Sequence, residues 1–152
     1  GVGHVVALPD IVTCDGVLWP LTRDAEIRLI TVCKEDEGVS ICTGLSYAGR
    51  RAVLLMQHTG FLDSVNAIRA IAVEYGHPVV MIVGLQGMEL DREPSDSAQY
   101  GIRILQPILD AMGIAHDVLR VDADTALIGP AVERAYATSA PHVFLVSRSP
   151  RP

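Results

Sequence analysis

Six short apolar runs, each bounded by polar or glycine-containing stretches, constrain the fold of this chain more than any other feature. They cover residues 3–8, 27–32, 52–57, 78–84, 116–121 and 142–147. Several are nearly continuous in Val, Ile, Leu and Met instead of alternating with polar residues. An alternating strand has one wet face. A strand that is apolar throughout is covered on both faces, as in a parallel sheet between two layers of helices. Helix-like segments fall between the runs, at 37–48, 62–75, 98–112 and 124–138. In the second of these, Val65, Ile68, Ala72 and Tyr75 recur at helical spacing. Gly49, Gly76 and Gly113 stand where helices should stop, and Asp124 is placed to cap the last one. Residues 9–25 are less regular and read as a loop with a short helix. The alternation predicts an α/β fold of three layers, αβα, around a six-stranded parallel sheet. The 152 residues suffice for one domain spanning 1–152 with a substantial core.

Composition excludes several classes of function. Hydrophobic residues make up 49% of the chain, yet no apolar run approaches the ~20 residues that cross a bilayer, so no membrane partner is expected. There is no secretory pattern of basic start, apolar stretch and small-residue cleavage site. The formal charge of −6 argues against general nucleic-acid binding. Cys14, Cys33 and Cys42 lack Cys-x-x-Cys spacing. An odd count without a secretory signal suits reduced thiols and a cytoplasmic location. The first residue is Gly1 rather than Met, so upstream residues are expected to be missing. A core this aliphatic in a chain this small also suggests surface hidden in an oligomer.

The richest stretch for chemistry is Lys34-Glu35-Asp36-Glu37-Gly38-Val39-Ser40-Ile41-Cys42-Thr43-Gly44-Leu45-Ser46-Tyr47-Ala48-Gly49. It follows a strand, so its acids lie at the carboxyl end of the sheet, where open α/β folds bind ligands. Acids in a first helical turn are stabilised by the helix dipole, and Glu35 and Asp36 are read that way. The small residues after Glu37 either admit a planar ring or pack a helix closely on the sheet. A second motif, Gln57-His58-Thr59-Gly60-Phe61-Leu62-Asp63-Ser64-Val65-Asn66, follows the third strand. A turn there offers free N–H groups to an anion, and His58 could donate a hydrogen bond or move a proton; the alternative is a structural histidine. A third, Leu8-Pro9-Asp10, follows the first strand, and its plainer reading is a turn in which Asp10 bonds its own backbone. The polar stretch 86–97, with Asp91-Arg92-Glu93-Pro94 at its centre, is a candidate lid or an ordinary surface loop.

Together these motifs resemble the pyrimidine-binding (PYR) domain of thiamine-diphosphate enzymes, and within that family the sulfopyruvate and phosphonopyruvate decarboxylases. The resemblance runs along essentially the whole chain. Leu8-Pro9-Asp10 is similar to the family's Val-Pro-Asp after the first strand. Glu37-Gly38 is similar to its Glu-Gly helix start, ten residues before Tyr47. Gln57-His58-Thr59-Gly60 and Asn66 are similar to its Gln-x-Ser/Thr-Gly turn running on to Asn. Gln99 stands where relatives often carry histidine, so no acid–base role passes to that position.

The resemblance implies that Glu37 contacts N1′ of the cofactor's aminopyrimidine and so activates the thiazolium carbon. It implies a cofactor-binding set of Glu37, Gly38, Gln57 and Gly60, and a substrate-side set of Asp10, His58, Thr59 and Asn66. The family's Gly-Asp-Gly motif followed by Asn-Asn, which holds Mg²⁺ and diphosphate, is missing; Cys14-Asp15-Gly16 has no matching asparagine. No metal ligands are therefore assigned to this chain. The resemblance implies a β subunit carrying the diphosphate-binding (PP) domain, a hetero-oligomer, thiamine diphosphate with Mg²⁺, and an anionic 2-keto acid substrate: 3-sulfopyruvate, alternatively its phosphono analogue. Another split thiamine enzyme is a further alternative. So is a regulatory or nucleotide-binding α/β module, although neither glycine-rich phosphate loop, GxGxxG or Walker, is present.

Overall fold

The computed structural model describes residues 1–150. Six strands form one sheet: β1 (His4–Ala7), β2 (Arg28–Thr31), β3 (Ala52–Gln57), β4 (Val80–Gly84), β5 (Ala115–Leu119) and β6 (His142–Val146). Their order is β2-β1-β3-β4-β6-β5, and every pairing is parallel. The register is regular, with Val5 opposite Leu29 and Val53, and Leu145 opposite Val83 and Val118.

Side chains alternate between the two faces of each strand, and the core divides accordingly. Val6, Leu54, Met56, Met81, Val83, Val143 and Leu145 belong to one buried cluster. Val5, Ala7, Val53, Leu55, Val80 and Phe144 belong to the other. The first face carries the helices α2 (Glu35–Tyr47), α3 (His58–Asp63), α4 (Val65–Ala67), α5 (Tyr100–Arg103) and α6 (Leu105–Ala111). The second carries the short α1 (Trp19–Leu21) and α7 (Ile128–Thr138). This is the expected three-layer α/β architecture.

Several boundaries differ from the sequence reading, with identifiable causes. The 98–112 segment breaks at Ile104 into α5 and α6. Pro107 has no N–H and would clash with the carbonyl four residues back, so it is accommodated in the first turn of a new helix. Pro130 does the same in α7, which is preceded by a separate 3₁₀ turn, Asp122–Leu127. Asp124 is inside that turn and does not cap α7. Its carboxylate reaches back to the N–H groups of Arg120 (2.7 Å) and Val121 (3.0 Å). The second helical segment starts at His58 instead of residue 62, breaks at Ser64 and ends in a π-helical stretch, Ile68–Glu74. Gly49, Gly76 and Gly113 have φ of 69°, 66° and 67°, the left-handed geometry of helix ends.

The three cysteines are free thiols, and burial pushes the Cys42 thiol up to about 12. Among the described residues no helix is long and apolar enough to cross a membrane.

Candidate active site

The strand order reverses at β1: the chain leaves it for β2 on one side and returns to β3 on the other. Loops diverge at such a point and leave a crevice at the carboxyl ends. A cavity of about 310 Å³ lies there, lined by Leu8, Pro9, Asp10, Ile11, Glu35, Gln57 and Gln86. Four strands contribute: Leu8 to Ile11 follow β1, Glu35 opens the helix after β2, Gln57 ends β3, and Gln86 follows β4.

The acids at the start of α2 are sorted by helix geometry. At about 100° per residue, positions two apart project to opposite sides. Glu35 is half-buried and forms part of the cavity wall. Its side chain lies across Gly60, where a Cβ would overlap the carboxylate. Among the described residues no donor reaches that carboxylate. Glu37 is exposed at the same edge, and its Oε2 accepts the Cys33 N–H at 3.2 Å, satisfying a free donor ahead of the helix. Asp36 accepts the N–H of Glu37 at 2.9 Å. Gly38 is buried, and a Cβ there would come within 2.5 Å of Leu54 Cδ1, so it serves close packing of α2 on the sheet.

The strand-three motif separates similarly. Gln57 is at the cavity, its amide donating to Gln86 Oε1 at 2.5 Å while its own oxygen accepts the Thr59 hydroxyl at 2.7 Å. Thr59 therefore orients Gln57 from the exposed side. His58 is buried and does not line the cavity; Gly101 packs against its Cδ2 and Nε2. Burial holds the His58 imidazole below its ordinary value, partly offset by the Gly84 carbonyl. Its Nδ1 is buried without a partner among the described residues. Asn66 is exposed on α4, with its oxygen accepting from Arg69 Nη2 at 3.1 Å, and it is not part of the cavity wall.

Asp10 lines the cavity, yet its carboxylate serves its own loop. Oδ1 accepts the N–H groups of Val12 (2.7 Å) and Thr13 (3.0 Å), and Oδ2 accepts the Thr13 hydroxyl. The plainer expectation for this motif, a self-bonded turn, describes its geometry.

The 86–97 loop is tied down at several points. The Glu89 carboxylate accepts from the Ser97 hydroxyl (2.8 Å) and the Ala98 N–H (3.0 Å), and these bonds hold it below the ordinary carboxylate range. Glu93 pairs with Arg120. Between these ties and β6 lies a smaller cavity of about 170 Å³, where Arg92, Arg120 and Arg148 meet Glu89, Asp91 and Glu93. Gln99 precedes α5 and touches Gly87 rather than the larger cavity.

Sequence reading missed Glu35 and Gln86 as cavity residues. The helix begins at Glu35, two residues earlier than expected, and that start sets which way Glu35 faces. Among the described residues no three His, Cys, Asp or Glu side chains gather as they would around a metal ion.

Fold and cavity together define a parallel α/β domain with a ligand crevice at its carboxyl edge, walled by carboxylates and amides. The chain is similar to sulfopyruvate decarboxylases. It is 37% identical over 87 residues to the α subunit from Methanococcus maripaludis, covering 57% of this chain and 52% of that one. It is 33% identical over 89 residues to the α subunit from Methanothermobacter thermautotrophicus, covering 59% and 53%. It is 28% identical over 152 residues to a sulfopyruvate decarboxylase from Methanosarcina acetivorans, covering 97% of this chain and 37% of that one. The chain thus spans about half the length, or less, of the curated relatives it matches. No family profile matches it.

Proposed function

We propose that this chain is the α subunit of a two-chain, thiamine-diphosphate-dependent decarboxylase that converts 3-sulfopyruvate to sulfoacetaldehyde and CO₂. The observation that carries this reading is the similarity to proteins named sulfopyruvate decarboxylase, one of which aligns with 97% of the chain. The crevice supports it, because it lies on the edge where the family resemblance puts the cofactor's pyrimidine end.

The residues present fit that end of the cofactor. Glu37 has one carboxylate oxygen engaged by Cys33 and the other free at an exposed edge, where a group held by another chain can reach it. In this reading Glu37 would hold the aminopyrimidine ring of the cofactor by a hydrogen bond. When bound, thiamine diphosphate supplies a nucleophilic carbon and a sink for the electron pair left by departing CO₂. Gln57, fixed by Thr59 and Gln86, presents an oriented amide to the ligand. Leu8, Pro9 and Ile11 give the cavity one apolar wall. In this reading a β subunit, implied by the resemblance, holds Mg²⁺ and the diphosphate. Among the described residues the cavity wall carries two carboxylates and no cation, so a cation facing the sulfonate belongs to the partner in this reading.

The test is to identify the partner by pull-down and mass spectrometry, then assay the pair on 3-sulfopyruvate, 3-phosphonopyruvate and pyruvate. The expected result is CO₂ release fastest from sulfopyruvate. Pyruvate should be slower by several kcal/mol of discrimination, since a site built for an anion leaves buried donors unpaired without one. Equal rates on all three substrates would contradict the substrate assignment.

A further inference from the structure

We propose that Glu35, not assigned any role by the resemblance, is the residue of this chain that delivers a proton to the reacting carbon of the bound keto acid. This rests on the decarboxylase reading above and deepens it.

Loss of CO₂ from a 2-keto acid breaks the bond between the carboxylate and keto carbons and leaves an electron pair on the latter. A C–H bond must form there before the aldehyde departs. The sum, R–CO–COO⁻ + H⁺ → R–CHO + CO₂, needs one proton and neither oxidant nor reductant. The chain therefore needs, or its partner must provide, a titratable group that touches the cavity and is free to exchange a proton.

Candidates on this chain reduce to one. Asp10 lines the cavity, but its two oxygens already accept the Val12 and Thr13 N–H groups and the Thr13 hydroxyl. His58 is buried behind Gly101, off the cavity wall. Position 99 is glutamine, which does not titrate. Glu37 projects to the exposed side and engages Cys33. Glu35 is half-buried in the wall, with no donor bound to its carboxylate among the described residues.

Its position is also built. The side chain crosses Gly60, and any other residue there would displace the carboxylate. Glycine is a poor helix former next to alanine, and the space it leaves inside α3 is filled by Glu35. A proton from water at the open cavity mouth passes through the Glu35 carboxyl group to the carbon, and the Glu35 carboxylate is left to relay the next one.

The experiment uses the reconstituted complex with Glu35→Gln, Glu35→Asp and Gly60→Ala chains. Rapid-quench measurements follow CO₂ and aldehyde separately, and hydrogen–deuterium exchange at the cofactor's C2 is read without substrate. Glu35→Gln is expected to keep the first-turnover CO₂ burst and the C2 exchange within about twofold of wild type. Aldehyde release should slow about a hundredfold, the lower range for a removed proton donor. Glu35→Asp should recover part of that loss. Gly60→Ala should also slow aldehyde release, because it pushes Glu35 aside without altering its chemistry. CO₂ and aldehyde falling together in Glu35→Gln, or neither falling, would overturn the proposal while leaving the decarboxylase reading intact. A wild-type complex that releases no CO₂ from any 2-keto acid would overturn the decarboxylase reading itself.

Discussion

At the scale of single residues, the start of α2 gives neighbouring acids separate tasks by direction alone. Glu35 turns into the crevice, and Glu37 faces the open edge, bound to the Cys33 N–H. If Glu37 activates the cofactor, Glu37→Gln in the assembled enzyme should lower turnover by about 10²–10⁴, the usual worth of a correctly placed proton-transfer group. Exchange of the cofactor's C2 hydrogen, followed by NMR, is the direct readout; exchange at the wild-type rate would remove Glu37 from that step. Gly38 makes a different point. A methyl group there meets Leu54 in a core position with no accessible surface. Gly38→Ala should therefore destabilise the isolated chain by about 1–3 kcal/mol through overpacking. A shift in the urea midpoint with an unchanged slope would register it, and a midpoint equal to wild type would show that Leu54 yields freely.

At the scale of elements, the strands were legible because their apolar runs are nearly uninterrupted. All six lie within a residue or two of the expected positions. Helices were legible as segments but not as continuous rods. Pro107 and Pro130 each force a restart, and a reading based on apolar spacing passed over both. The Gln57-His58-Thr59-Gly60 motif, expected as a turn that opens the next helix, enters α3 directly from β3, and Gly60 leaves the space that Glu35 occupies. What sequence could not supply was direction: which face of a first helical turn meets a cavity depends on where the helix starts. Helix start also decides the fate of Asn66, expected near the substrate and found on α4 beside Arg69. The loop after β1 offers a test at this scale. Asp10→Ala strips partners from two N–H groups and a hydroxyl in a largely buried turn. The loss should be at least ~2 kcal/mol, since each abandoned donor carries a desolvation cost. Amide hydrogen exchange at Val12 and Thr13 should speed up first. Unchanged protection there would mean that the turn holds without Asp10.

At the scale of the whole molecule, acid should weaken the fold in two stages. His58 and His142, buried, sit below their ordinary value of 6.5 when folded, His142 despite an Asp117 carboxylate at 2.9 Å. The unfolded chain then binds protons first as pH falls through 6.5, so stability is full above that value and declines below it. Glu89, Asp124 and Glu133 are held low by hydrogen bonds from Ser97, Arg120 and Arg51 respectively. Their contribution is present above the unfolded carboxylate values and is lost at lower pH, as they finally protonate in the folded chain. Calorimetric melting temperatures should fall in that order, and replacing either histidine by Gln should flatten the first stage. A melting temperature independent of pH from about 7 to 5 would contradict this.

The molecule's larger feature is a crevice at the carboxyl edge of the sheet. The crevice holds carboxylates and oriented amides, while the proposal leaves the cation, the metal and the diphosphate to another chain. The most direct test is an omission experiment with thiamine diphosphate, Mg²⁺ and 3-sulfopyruvate, following CO₂ release from this chain alone, from the partner alone and from the two mixed. Release is expected only from the mixture, rising with added chain until a fixed stoichiometry is reached. Release by either chain alone at the rate of the mixture, or none from the mixture, would contradict that expectation.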